Sequence, residues 1–83
     1  MQIKEIPVID MRETGLNLTR LRRQRGIRVK DIQEALGFTT TVAIYKWERG
    51  ETLPSLDNIL ALSRMLGCSI EDILVTERDQ REC

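Results

Sequence analysis

Histidine is missing from this 83-residue chain, and its absence removes more chemistry than any residue present supplies. Imidazole is the commonest general base, the commonest metal ligand and the activator of Ser and Cys nucleophiles. The thiols do not replace it. Cys68 and Cys83 stand at no spacing that metal sites use, and two thiolates alone cannot complete a zinc shell. Cys68, among apolar neighbours, reads as a small core residue, and Cys83, the last residue, as a mobile thiol. A Cys68–Cys83 disulfide is the weaker alternative, because the chain reads as intracellular. No catalytic residue, metal or cofactor is expected, and an enzyme is the least supported class.

The chemistry that is present is charge. Thirteen basic and thirteen acidic side chains cancel, but not locally. Residues 1–50 hold ten basic and six acidic groups, a net of +4, and residues 51–83 hold three and seven, a net of −4. Between Thr14 and Lys30 lie Arg20, Arg22, Arg23, Arg25, Arg28 and Lys30 with no acid among them. A solvated helix face would explain any charge run taken alone. The polarity of the whole chain suits a molecule that turns one basic face toward a polyanion and an acidic one away.

Hydrophobic residues make up 41% of the chain and charged residues 31%, the balance of a single folded domain. A domain of this size buries about 60% of its unfolded surface, so the core is thin. No apolar run approaches the roughly 20 residues of a membrane span. Lys4, Glu5, Asp10, Arg12 and Glu13 interrupt anything resembling a signal peptide, so a cytoplasmic location is expected.

The elements that must carry the basic residues are short and helical. Residues 1–13 contain Pro7 and alternate weakly, which suits an extended segment or a short edge strand. Thr14 fits the N-cap of a first helix that starts at Gly15 or Leu16 and ends near Arg25, with Leu18 and Leu21 on one face. Gly26 is placed to stop it and Ile27 to fold back. A second helix fits Val29–Leu36, with Ile32, Ala35 and Leu36 as its stripe, Gly37 as its stop and Phe38 returning to the core. Thr39, Thr40 and Thr41 offer N-cap chemistry to a third helix running to about Arg49, with Ile44 and Trp47 inward. Ser55 caps a fourth, Leu56–Leu66, whose stripe reads Leu56, Ile59, Leu60, Ser63 and Leu66, with Leu62 and Met65 on its flank. Ser69 and Asp72 form a capping box for a fifth helix ending at Leu74. Residues 75–83 read as a polar, fraying tail. The expected fold is all-α: a compact five-helix domain over residues 14–74.

Only about four residues, Gly37–Thr40, separate the second and third helices. That is helix-turn-helix spacing, in which the later helix is presented outward to the DNA major groove. The stretches LTRLRRQRGIRVKDIQEALGF and IYKWERGETLPSLDNILALSRMLGCSIEDIL resemble the Cro/cI-type helix-turn-helix domain of the Xre family, the lambda-repressor-like fold. The resemblance covers about Leu18–Leu74. It rests on LxxLR in the first helix, Leu36-Gly37 ending the second, Trp47-Glu48-Arg49-Gly50 ending the third, Pro54-Ser55 opening the fourth and Leu66-Gly67-Cys68-Ser69-Ile70 leading into the fifth.

The resemblance implies roles. Arg22 and Glu48 would form a partly buried ion pair between the first helix and the recognition helix. Thr41, Val42 and Lys46 would contact bases, with Ala43 and Tyr45 beside them. Arg28, Val29 and Lys30 at the second helix's N-terminus, and Arg49 and Thr52 after the third helix, would contact phosphate. A helix N-terminus independently favours anions through its free N–H groups and dipole. Three positions depart from the family pattern: Val29 stands where Gln is usual, Gln33 where Ala is usual, and the Phe38–Thr41 connection is one residue longer. Thr41 and Val42 are not bidentate readers, so base readout would rest on thymine methyls and on Lys46 to guanine. Tyr45 also reads as a packing aromatic and Lys46 as a plain surface lysine.

The sequence therefore points to a DNA-binding transcriptional regulator acting as a homodimer on double-stranded DNA. The alternative is an antitoxin-like or adaptor protein whose main partner is another protein, bound through the acidic half. For the dimer contact, Leu62, Met65, Ile70 and Ile73 are the candidates, with the segment Ile3–Met11 as rival through strand pairing.

Overall fold

The computed structural model describes residues 6–77. Within them the chain forms α1 (Met11–Gln24), α2 (Val29–Leu36), α3 (Val42–Glu48), α4 (Leu56–Leu66) and α5 (Ile70–Ile73). What the sequence suggests for residues 1–5 and for residues 78–83, Cys83 included, lies outside the described residues. Sequence bounds hold to the residue for α2 and α4, where a cap and a left-handed glycine bracket each helix.

The start of α1 differs from expectation. Asp10, not Thr14, is the N-cap: its backbone is extended and its Oδ1 accepts the Glu13 N–H at 2.9 Å. Thr14 sits one turn inside the helix, buried, with its hydroxyl given to a segment 61 residues away. Thr14 Oγ1 accepts the Val75 N–H at 2.9 Å and donates to the Val75 carbonyl at 3.3 Å. The neighbouring backbone joins in. Asp10 N–H donates to the Val75 carbonyl at 2.8 Å, Glu77 N–H donates to Val8 at 2.9 Å, and Ile9 and Thr76 form an antiparallel bridge. Residues 75–77 are thus tied down rather than frayed, and the extended segment ends at Asp10 instead of residue 13.

The core draws on every helix: Leu18 and Leu21, Val29 and Ile32, Ile44 and Trp47, Ile59, Leu62 and Leu66, and Ile73. Phe38 returns from the turn to meet Trp47 edge to face, ring centroids 5.8 Å apart. In α4 the buried face is rotated from the expected one. Leu62 is fully buried, while Leu56 is 79% exposed and Leu60 is also exposed. Seven apolar residues in eleven give this helix two overlapping stripes, and the one through Ile59, Leu62 and Leu66 is the one that packs. Leu62 and Ile73 are consequently core residues and cannot form an external contact.

α1 crosses the end of α3 at Gly15. A Cβ there would lie 2.5 Å from the carbonyl oxygens of Trp47 and Glu48, so only glycine allows this approach. No helix is long and apolar enough to cross a membrane, among the described residues.

Candidate nucleic-acid interface

The turn that aims α3 is built from the end of α2. Gly37 adopts a left-handed conformation (φ 74°), its N–H donates to Glu34 and the Phe38 N–H donates to Gln33 at 3.0 Å. These two bonds make a Schellman cap, and Phe38 provides the apolar contact that accompanies it. Gln33, which stands where the family usually has Ala, lies half-buried, and its Nε2 donates to the Phe38 carbonyl at 3.2 Å. The amide braces the longer connection from within.

The threonine run opens α3 only weakly. Thr41 precedes Val42 but makes no side-chain cap bond; Thr40 Oγ1 accepts the Val42 N–H at 3.3 Å. α3 is then held by its buried side, Ile44 and Trp47. Its outward side follows from helical spacing. Val42, Tyr45, Lys46 and Arg49 stand at i, i+3, i+4 and i+7, and all four are exposed, Val42 by 54% and Tyr45 by 44%. Ala43 packs against the core and Thr41 is half-buried, so neither shares that open surface fully.

Two arginines of α1 and the α1–α2 loop region have opposite environments. Arg22 reaches Glu48 at the end of α3, Nε to Oε2 at 2.7 Å, with the two side chains only 11% and 9% exposed. Its Nη1 also donates to the Ile27 carbonyl at 3.0 Å. One guanidinium therefore joins α1, the α1–α2 loop and α3. Arg28, the N-cap of α2, is exposed and pairs with Asp31, Nη2 to Oδ1 at 2.9 Å. Asp31 Oδ2 additionally accepts the Arg28 backbone N–H at 2.9 Å. These bonds hold the Asp31 carboxyl below its usual range, the side-chain bond from Arg28 contributing most, and raise the Arg28 guanidinium.

The far end of α3 repeats the arrangement. Arg49 Nε donates to Glu51 Oε2 at 2.5 Å, both side chains exposed. That bond, with smaller Coulombic help from Arg49 and Lys46, keeps the Glu51 carboxyl below its usual range. Lys30 and Thr52 are exposed on the flanks. Val29 differs from the other phosphate candidates: its side chain is buried in the core, which leaves only its backbone N–H for an anion.

Sequence reasoning singled out neither Asp31 nor Glu51, nor the contact at Gly15. Their only signal is spacing: an acid three residues after a capping arginine, an acid two residues after Arg49, and a glycine inside a helix. Among the described residues, no group of three or more His, Cys, Asp or Glu converges as a metal site would require.

Comparison with known proteins agrees with this geometry. The helix-turn-helix family HTH_3 matches residues 18–73. Repressor protein C2 of Salmonella phage P22 is 43% identical over 61 residues, 70% of this chain and 28% of that protein. The HTH-type transcriptional regulator DdrOP3 of Deinococcus deserti is 37% identical over 57 residues, 69% of this chain and 43% of that protein. The chain thus spans less than half the length of these curated relatives. The crystal structure of the P22 c2 repressor in complex with a synthetic operator is similar with a TM-score of 0.66 at 38% identity, covering 74% of this chain and 91% of that one. The match spans most of the chain, from the middle of α1 through α5, and with it the chain belongs to the helix-turn-helix family of the Xre, Cro/cI type.

Proposed function

We propose that this chain is a sequence-specific DNA-binding transcriptional regulator that works in the cytoplasm as a homodimer. The observation that carries the reading is the outward face of α3. Val42, Tyr45 and Lys46 project from a helix pinned by Ile44 and Trp47, with Arg49 at its C-terminal end and Arg28 and Lys30 exposed at the start of α2. A relative at 38% identity was crystallised on a synthetic operator, which supports the same use of the fold here. Lys46 donates to a guanine edge, Val42 packs on a thymine methyl, and Tyr45 and Thr41 contact the groove beside them, with Ala43 at their base. Arg28, Lys30, Arg49, Thr52 and the Val29 N–H position the helix on phosphate and read no sequence themselves.

Two copies meet through Leu53, Leu56 and Leu60, the apolar side chains left open just after the recognition helix. Such a patch is self-complementary about a two-fold axis, as an isologous dimer requires. It sets the two recognition helices about 34 Å apart, one turn of DNA. Selection of bound duplexes from a random pool tests the proposal. An enriched motif with two symmetric half-sites one turn apart is expected. An absence of enrichment at low salt overturns the DNA reading and favours a protein partner on the same leucine patch.

A further inference from the structure

Among the described residues one ion pair ties α1 to α3, one sits at the start of α2 and one just after α3. One is buried structure. The other two are exposed, and each engages an arginine placed to meet phosphate: Arg28 at the start of α2 and Arg49 at the end of α3. In both, a carboxylate two or three residues further along occupies the guanidinium with the same oxyanion geometry that a DNA phosphate would offer. We propose that Asp31 and Glu51 are internal stand-ins for phosphate. Each arginine must exchange a carboxylate for a DNA oxygen before it contacts a duplex, and the exchange limits the sequence-independent part of binding. The inference rests on the DNA-binding reading above.

Several observations support the exchange. Both pairs are open to water, so they break at little cost and act as competitors rather than as locks. Both carboxyls are held below their usual range by these same arginines, and so stay ionised at neutral pH. One pair sits at the N-terminus of α2 and the other just past the C-terminus of α3, both at positions to which the proposed function gives phosphate contacts. The exposed positive charge of the first fifty residues is therefore smaller in effect than its count. A regulator that must find one operator among many other sites gains from weak phosphate contact, because specificity depends on the ratio of operator to non-specific affinity and on how many competing sites exist.

Asp31→Asn and Glu51→Gln test the proposal, since each removes the charge but keeps an acceptor; in Asp31→Asn the amide oxygen still accepts the Arg28 N–H. Binding to an operator and to a scrambled duplex is measured across a series of salt concentrations. Each substitution is expected to tighten binding to both duplexes by about threefold at low salt. The gain is expected to shrink as salt rises, because screening weakens the exposed carboxylate pair that the parent must break. The decisive comparison is Asp31→Asn in an Arg28→Ala background, where the gain should vanish because no guanidinium remains to be released. A gain that persists there overturns the proposal, leaving Asp31 as a carboxylate that merely repels DNA from a distance. Parent and variant binding alike, with DNA binding intact, overturns it too. If the parent binds no duplex at any salt concentration, the DNA-binding reading fails and this inference fails with it.

Discussion

The support of α3 and the junction of the chain's two ends both close the domain, by different physical means. Under α3, side chains do the work: Arg22 reaches across to Glu48, and the missing Cβ of Gly15 lets α1 lie against the Trp47 and Glu48 carbonyls. At the junction, backbone does it: residues 8–10 pair with 75–77, and the Thr14 hydroxyl serves both polar groups of Val75. The first region fixes the helix whose face is proposed to meet DNA. The second holds no proposed DNA contact, so damage there should cost stability alone. This contrast can be broken at named residues.

The largest effect is expected at the buried pair. Arg22→Ala strands the Glu48 carboxylate in a site only 9% exposed and also deprives the Ile27 carbonyl of its donor. Removing one partner of a buried pair costs about 3–5 kcal/mol. That is a large share of the stability of a small domain, and urea denaturation should read it directly. Unchanged unfolding would mean that the pair is solvated and that α3 is held by Ile44 and Trp47 alone.

Gly15→Ala comes next. The added methyl must push α1 away from two backbone carbonyls, and such overpacking costs about 1–3 kcal/mol. Because those carbonyls belong to α3, whose seat on α1 is thereby disturbed, operator affinity should fall further than the fraction unfolded explains. Titration of the folded fraction against operator checks this. A loss explained wholly by unfolding would remove the distinction between the two regions.

At the junction, Thr14→Val keeps the shape and deletes the hydroxyl, leaving the Val75 N–H without that acceptor. A buried group left unsatisfied costs about 1–3 kcal/mol, and this half-buried one should fall near the lower end. DNA affinity of the folded protein should not change. A drop in affinity would show that the junction and α3 move together.

The two regions also differed in how far the sequence revealed them. α2 and α4 were legible because Gly37, Ser55 and Gly67 mark their ends locally. Arg22, Glu48 and the exposed Val42, Tyr45 and Lys46 were legible because the Xre resemblance and helical spacing point to the same positions. The junction was not legible. Asp10 and Thr14 are both good caps at adjacent turns, and the choice between them depends on Val75, which no local pattern connects to either. The packed face of α4 was hidden for a related reason: its leucines suit two faces, and only the surrounding helices select one. Asp31 and Glu51 look like ordinary helix-end acids until the arginines they hold are seen.

The smallest effect on stability, and the sharpest on assembly, is expected at Leu56. With 79% of its surface exposed it adds little to the fold, so Leu56→Ser should shift unfolding by no more than about 0.5 kcal/mol. If Leu53, Leu56 and Leu60 join two copies, the same change exposes a hydroxyl at the centre of an apolar contact and should move sedimentation toward the monomer. Operator affinity would then fall while affinity for a half-site stayed the same. The competing surface is the outer edge of the junction, where Ile6 and Val8 are also exposed beside the Ile9–Thr76 bridge. A dimer that survives Leu56→Ser and is lost when Val8 becomes a lysine would put the contact there. The junction would then join two copies as well as two chain ends, and the contrast with the α3 support would no longer be between a binding region and a purely structural one.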